Sequence, residues 1–138
     1  MIASCGGYPK NINFIQAHKA IHNSALFVKD GGLLIVYCEC RDGIGSTTFL
    51  PWFKKGSFET AFEMLAENYE GNGGTALAMM AKLQRIQIAL VTSISNETLQ
   101  TIGVEQWDHS QVSDYISTIN TDVSIACICN ASLLVRKA

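Results

Sequence analysis

The opening of the chain limits what it can fold into more than any other stretch. A short apolar segment, Ile2 to Cys5, runs into Gly6-Gly7, then Tyr8-Pro9, then a long helical pattern. Paired glycines let the backbone turn sharply through positive φ and leave room above the turn. A strand, turn and helix in that order builds ligand sites at the carboxyl end of a parallel sheet. The first N–H groups of such a helix have no partner inside it and favour an anion. The space over Gly6-Gly7 is therefore expected to accept one.

The first helix is expected from Asn11 or Asn13 to Lys29, stopped by Asp30-Gly31-Gly32, with Asn13 and Gln16 spaced like a capping box. Phe14, Ala17, Ile21, Ala25 and Val28 fall at three- and four-residue steps and form its core stripe. Gln16, Lys19 and Asn23 form a polar row on the opposite side, flanked by Ile12, Ile15, Leu26 and Phe27. Two readings fit that row: an ordinary surface with Gln16 serving the cap, or a face partly roofed by another domain, with Gln16 and Lys19 in the seam.

Leu33 to Cys38 reads as a buried parallel strand leading into a Gly- and hydroxyl-rich loop, residues 39–48. Pro51 and Trp52 lie in a short aromatic segment. Ser57 caps a helix to Glu70 with Phe58, Ala61, Phe62, Leu65, Ala66 and Tyr69 on one face, and Gly71 to Gly74 make a flexible corner before the next helix, opened by Thr75. Then come a strand (Ile86–Val91), a helix (Asn96–Ile102), an edge strand within Gly103–Trp107, and a helix (Ser110–Ile119) with Val112, Tyr115 and Ile116 inward. A strand (Val123–Cys129) and a last short one (Leu133–Val135) close the pattern. This alternation predicts a three-layer α/β/α sandwich with a mostly parallel sheet of four to five strands, residues 1–138 forming a single domain.

The chain's 138 residues can bury a full core, and 48% hydrophobic with 16% charged residues describes a globular protein. A net charge of −2 supplies no reason to expect nucleic acid or an acidic membrane surface as a partner, and no apolar run is long enough to span a bilayer. No signal peptide is visible, so the cytoplasm is the expected location. Met1 is followed at once by strand residues, which points to a domain cut from a longer protein.

Chemistry-bearing groups are sparse. His18 and His22 stand four apart on one helix, a spacing that can share a metal, but no third ligand is evident and Lys19 beside them opposes a cation. Half-buried histidines are the simpler account, and His109 is read as helping to cap the helix that follows it. Cys38/Cys40 and Cys127/Cys129 are one residue apart, closer than zinc ligands usually stand, and read as structural thiols on one strand face. No nucleophile elbow or Cys–His arrangement is present.

Ser4-Cys5-Gly6-Gly7-Tyr8-Pro9-Lys10-Asn11-Ile12-Asn13-Phe14-Ile15-Gln16-Ala17-His18-Lys19-Ala20, with Val28 to Gly32 and Glu39 to Gly45, resembles the C-terminal domain of the lactate racemase family, whose members use a nickel pincer nucleotide. The resemblance is strongest over residues 2–46 and looser through Gly73-Gly74 and Ile86–Ser93. It implies a two-domain enzyme that racemises or epimerises 2-hydroxy acids, with the active site between its domains. It also implies that the nickel pincer nucleotide and the catalytic histidines belong to an N-terminal domain, the partner of this one. No catalytic residue and no metal ligand are then expected in this chain, which alone is expected to be inactive. Gln16 and Lys19 match the family's active-site glutamine and lysine, so Lys19 is expected to pair with a substrate carboxylate and Gln16 to hold the substrate in register. Gly6, Gly7, Tyr8, Ile15 and Arg41 are the expected cleft lining. Ile15 replaces a frequent tyrosine and His18 a usual glutamine, changes that can redirect the pocket from lactate to a larger hydroxy acid. The competing readings are a stand-alone binding module that holds a small anion at Gly6-Gly7, and an interaction domain without a ligand.

Overall fold

Among the described residues the fold follows from five short strands that are all parallel, the central three apolar, each followed by a helix or turn. In the computed structural model, which describes residues 1–120 and 122–135, the elements run β1 (Ile2–Ser4), α1 (Phe14–Ala25), β2 (Leu33–Tyr37), a 3-10 turn (Leu50–Lys54), α2 (Phe58–Glu67) and α3 (Gly73–Leu83). They continue with β3 (Gln87–Val91), α4 (Asn96–Ile102), β4 (Glu105–Gln106), α5 (His109–Thr118), β5 (Cys127–Ile128) and a second 3-10 turn (Ala131–Leu133). The strand order is β4-β3-β2-β1-β5, with Ile2 opposite both Ile35 and Cys127 and Ile35 opposite Ala89. This is the three-layer α/β/α sandwich that the alternation predicts.

Strand side chains alternate between two faces. Ala3, Leu34, Val36, Ile88 and Leu90 join Phe14, Ile21, Met79 and Leu99 in the main core. Ile35 and Ala89 meet Val112 of α5 in a smaller core, with Ile2, Leu33, Tyr37 and Tyr115 packed around it. Phe14, Ala17, Ile21, Ala25 and Val28 are all buried, as their spacing requires.

Several boundaries differ from expectation. Helix α1 ends at Ala25 instead of Lys29, because Phe27 and Val28 tighten into bonds to the carbonyls of Ser24 and Ala25. The Arg85 guanidinium closes that end: it donates to the carbonyls of Ala25 and Val28 (2.5 Å to the latter) and pairs with Asp30 at 2.8 Å. Helix α2 ends at Glu67, and Phe62 and Tyr69 stand exposed beyond the core. Ile116 of α5 likewise faces outward.

Of the Val123–Cys129 strand only Cys127–Ile128 forms. β1 begins at Ile2, so residues before Ala126 have no strand opposite them, and Val123 and Ile125 are exposed. Leu133–Val135 is no strand; the chain there makes the 3-10 turn Ala131–Leu133. The corner at residues 71–74 is tied down, not free: the Asn72 amide donates to Ser46 Oγ at 2.6 Å and Thr48 Oγ1 at 3.1 Å. Among the described residues, no helix is long and apolar enough to cross a membrane.

Candidate functional site

Parallel strands bring the β1–α1 turn and the loop after β2 to the same edge of the sheet. Gly6 and Gly7 both take positive φ, +88° and +75°. A Cβ on Gly6 would lie 2.3 Å from the Asn130 side chain, so glycine is required there by close approach as well as by conformation. Asn130 in turn accepts from Lys10 Nζ at 3.1 Å. The turn is therefore filled by the C-terminal segment.

The start of α1 overturns one expectation. Its first four N–H groups are all spent: Phe14 donates to the Gly43 carbonyl (2.9 Å), Ile15 to the Ile44 carbonyl (3.2 Å), Gln16 to Asn13 Oδ1 (3.0 Å) and Ala17 to the Asn13 carbonyl (3.0 Å). The loop after β2 docks onto the helix end and supplies the acceptors an anion would have replaced. That loop is itself anchored, by Cys40 N–H to the Asn11 carbonyl at 2.8 Å and by Asp42 N–H to the Ile12 carbonyl at 3.0 Å. An anion held by the helix start over Gly6-Gly7 is ruled out by this geometry. Tyr8 and Arg41 sit at the same edge, both exposed, with the guanidinium 4.8 Å from the ring centre.

Asn13 caps α1, but the box is not reciprocal, because the Gln16 side chain points elsewhere. Gln16 Oε1 accepts from Lys19 Nζ at 2.9 Å, so amide and ammonium form one polar unit on the outer side of α1. Lys19 is exposed and Gln16 half-buried; neither is turned beneath the sheet. Ile15, next to them, is half-buried against the main core. Asn23, third in the polar row, does not join them. Its amide donates to the carbonyls of Ala131 and Ser132 at 3.1 and 3.3 Å and fastens the final turn to α1.

The two helix histidines differ sharply. His22 is exposed, whereas His18 is 8% exposed and its Nε2 has no hydrogen-bond partner. Burial, then the charges of Lys82 and His22, push the His18 pKa down to about 3. Burial first and Lys82 second lower His22 as well. The rings lie 6.2 Å apart. Lys82 is a residue the sequence did not single out: it is 8% exposed, donates to the Ala78 carbonyl at 2.5 Å, and desolvation lowers its pKa to about 8. Nothing in the pattern of α3 marks a lysine on its buried side.

Among the described residues, no three His, Cys, Asp or Glu side chains converge as a metal ion requires. Cys5, Cys38 and Cys40 are buried together; Cys38 and Cys40 follow β2 instead of lying in it, and Cys40 takes φ +51°. Hydrogen bonds from Cys40 and Cys5, with burial, push the Cys38 thiol up. Cys127 and Cys129 are exposed. His109 is the first residue of α5, not its cap; Asp108 and Gln111 make a full capping box there.

Comparison with known proteins agrees with this architecture. Residues 1–64 match the family model described as the lactate racemase C-terminal domain. A curated lactate racemase from Thermoanaerobacterium thermosaccharolyticum is 42% identical over 55 residues, 40% of this chain and 13% of that protein. The solved structure of the lactate racemase apoprotein from the same organism superposes with a TM-score of 0.81 at 26% identity, over 99% of this chain and 35% of that one. The chain thus spans about a third of the length of that solved relative.

Proposed function

We propose that this chain, whose residues 1–64 match the lactate racemase C-terminal domain and whose fold superposes on the lactate racemase apoprotein, closes the substrate cleft of a 2-hydroxy-acid racemase or epimerase. Its partner in that reading is an N-terminal domain of the same protein. The same reading gives the nickel pincer nucleotide, and the hydride chemistry it supplies, to the partner domain.

The observation that carries the reading is the Gln16–Lys19 unit, an ammonium presented outward by an amide 2.9 Å away. The ammonium pairs with the substrate carboxylate, a charge-assisted bond that strengthens when a second domain excludes water. The Gln16 amide keeps Lys19 Nζ in place before substrate arrives and offers a donor of its own to the substrate. Holding the acid in one orientation lets its 2-carbon face the reacting group across the cleft. Ile15 and the Tyr8–Arg41 pair form the neighbouring wall.

The competing reading, a stand-alone module with an anion over Gly6-Gly7, loses its donors to Gly43, Ile44 and Asn13. The deciding experiment is racemisation of a single lactate enantiomer by the full-length protein with and without Lys19→Ala. A loss of about tenfold or more is expected, and an unchanged rate removes the assigned role.

A further inference from the structure

Helix α2 is poorly covered by the rest of the fold. Of its ten residues only Ala61 is buried, while Phe62 is 56% exposed and stacks its ring on half-buried Phe58 at 6.3 Å. Beside Phe62 runs a row of carboxylates, Glu59, Glu63 and Glu67 at four-residue steps, with Glu70 past the helix end. Residues 57–70 hold no lysine or arginine, and none of the four acids joins an ion pair among the described residues. Like charges four apart on a helix repel, and Glu67 stands at the negative end of α2, whose last turn carries no basic residue. The row therefore destabilises an uncovered helix, and basic groups from outside relieve it. Aromatic side chains next to unpaired charge are the makings of an interface and its rim. Tyr69, just past α2, is 74% exposed and lines the same concavity as Lys19.

We infer that the outer side of α2, together with Tyr69, is where the N-terminal domain of the same protein docks, through an apolar patch rimmed by lysine and arginine. The inference rests on the substrate-cleft reading for the identity of the partner and on α2 alone for the chemistry of its surface. Three observations select this occupant. Tyr69 and Lys19 share one concavity, so a domain that roofs Lys19 is carried against Tyr69 and the end of α2. The chain spans 35% of the solved lactate racemase, so most of that relative's length is left to supply a covering domain. A second copy of this chain meeting the face symmetrically would set carboxylate against carboxylate, whereas a basic rim complements the row.

The test is hydroxyl-radical labelling of Phe62 and Tyr69 in the full-length protein, compared with its Glu63→Lys, Glu67→Lys double variant. Both substitutions lie at exposed positions and ease the repulsion along α2, so the helix itself is expected to stay folded. Reversed charge repels a basic rim, and labelling of both rings is expected to rise at least threefold. Carbodiimide coupling, which joins carboxylates to amines in contact, then identifies the partner: Glu59, Glu63, Glu67 or Glu70 is expected to couple to lysines of the N-terminal domain. Labelling unchanged by the reversal, or coupling of α2 to a second copy (read by mixing isotope-labelled and unlabelled protein), overturns the docking. Loss of racemisation on Lys19→Ala with labelling unchanged by the reversal would remove this inference and leave the cleft reading. Coupling to the N-terminal domain in a cofactor-loaded protein that racemises no 2-hydroxy acid would remove the cleft reading and leave the docking.

Discussion

Acidification should destabilise this domain chiefly through one side chain, His18. Its pKa is about 3 in the fold against an ordinary 6.5, chiefly because burial penalises the imidazolium. Folding therefore favours the neutral ring: the stabilisation is complete above about pH 6.5 and is lost as pH falls toward 3. At ~1.4 kcal/mol per pH unit, acidification from about pH 7 to about pH 5 costs about 2 kcal/mol, a large share of a small domain's stability. Most carboxylates remain ionised over that interval, so they contribute little. His22 shifts in the same direction and adds to the loss. Urea unfolding at the two pH values, followed by the fluorescence of buried Trp52, measures the difference directly. His18→Gln, whose amide does not titrate, should lose about 2 kcal/mol less than the parent chain over the same interval. Equal losses in the two proteins would refute the assignment of the pH dependence to this ring.

Other substitutions test the packing that sets the site. Gly45→Ala places a Cβ 2.3 Å from the Asn13 side chain at φ +81°, and should cost about 2–3 kcal/mol through lost capping and left-handed strain, against about 1 kcal/mol for Asn13→Ala, both read from denaturation midpoints. Arg85→Met removes the donor to the Ala25 and Val28 carbonyls and the pair with Asp30, and should cost about 1.5–3 kcal/mol by the same measure. Lys82→Met removes a charge that depresses His18, so its ring pKa should rise in an NMR titration; no rise would place Lys82 too far away to matter.

The parallel sandwich was legible because strand and helix periods alternate cleanly, and the Asn13 cap and the α1 stripe follow from spacing within a dozen residues. The pairing of Gln16 with Lys19 was legible for the same reason: three residues on a helix put two side chains on one face. What escaped depends on distant contacts. The donors at the start of α1 are taken by carbonyls of a loop far downstream, Gly43 and Ile44, and no local pattern announces that docking. Lys82 is buried by the packing of α3 on α1, against every compositional expectation for lysine. Val123 and Ile125 alternate like a strand but find no neighbour, since pairing is decided by where β1 begins. Phe62 repeats like a core position on a helix whose outer side stays open, and Tyr69 lies past the end of that helix.

The central claim is that the ammonium of Lys19, steadied by Gln16, holds the carboxylate of a 2-hydroxy acid in a cleft completed by a second domain. Racemisation of one lactate enantiomer by the cofactor-loaded full-length protein, compared with its Lys19→Ala and Lys19→Arg forms, tests that most directly. The account predicts a loss of about tenfold or more for alanine with partial recovery for arginine, the retained charge marking a carboxylate partner. Alanine and parent turning over at the same rate would contradict it.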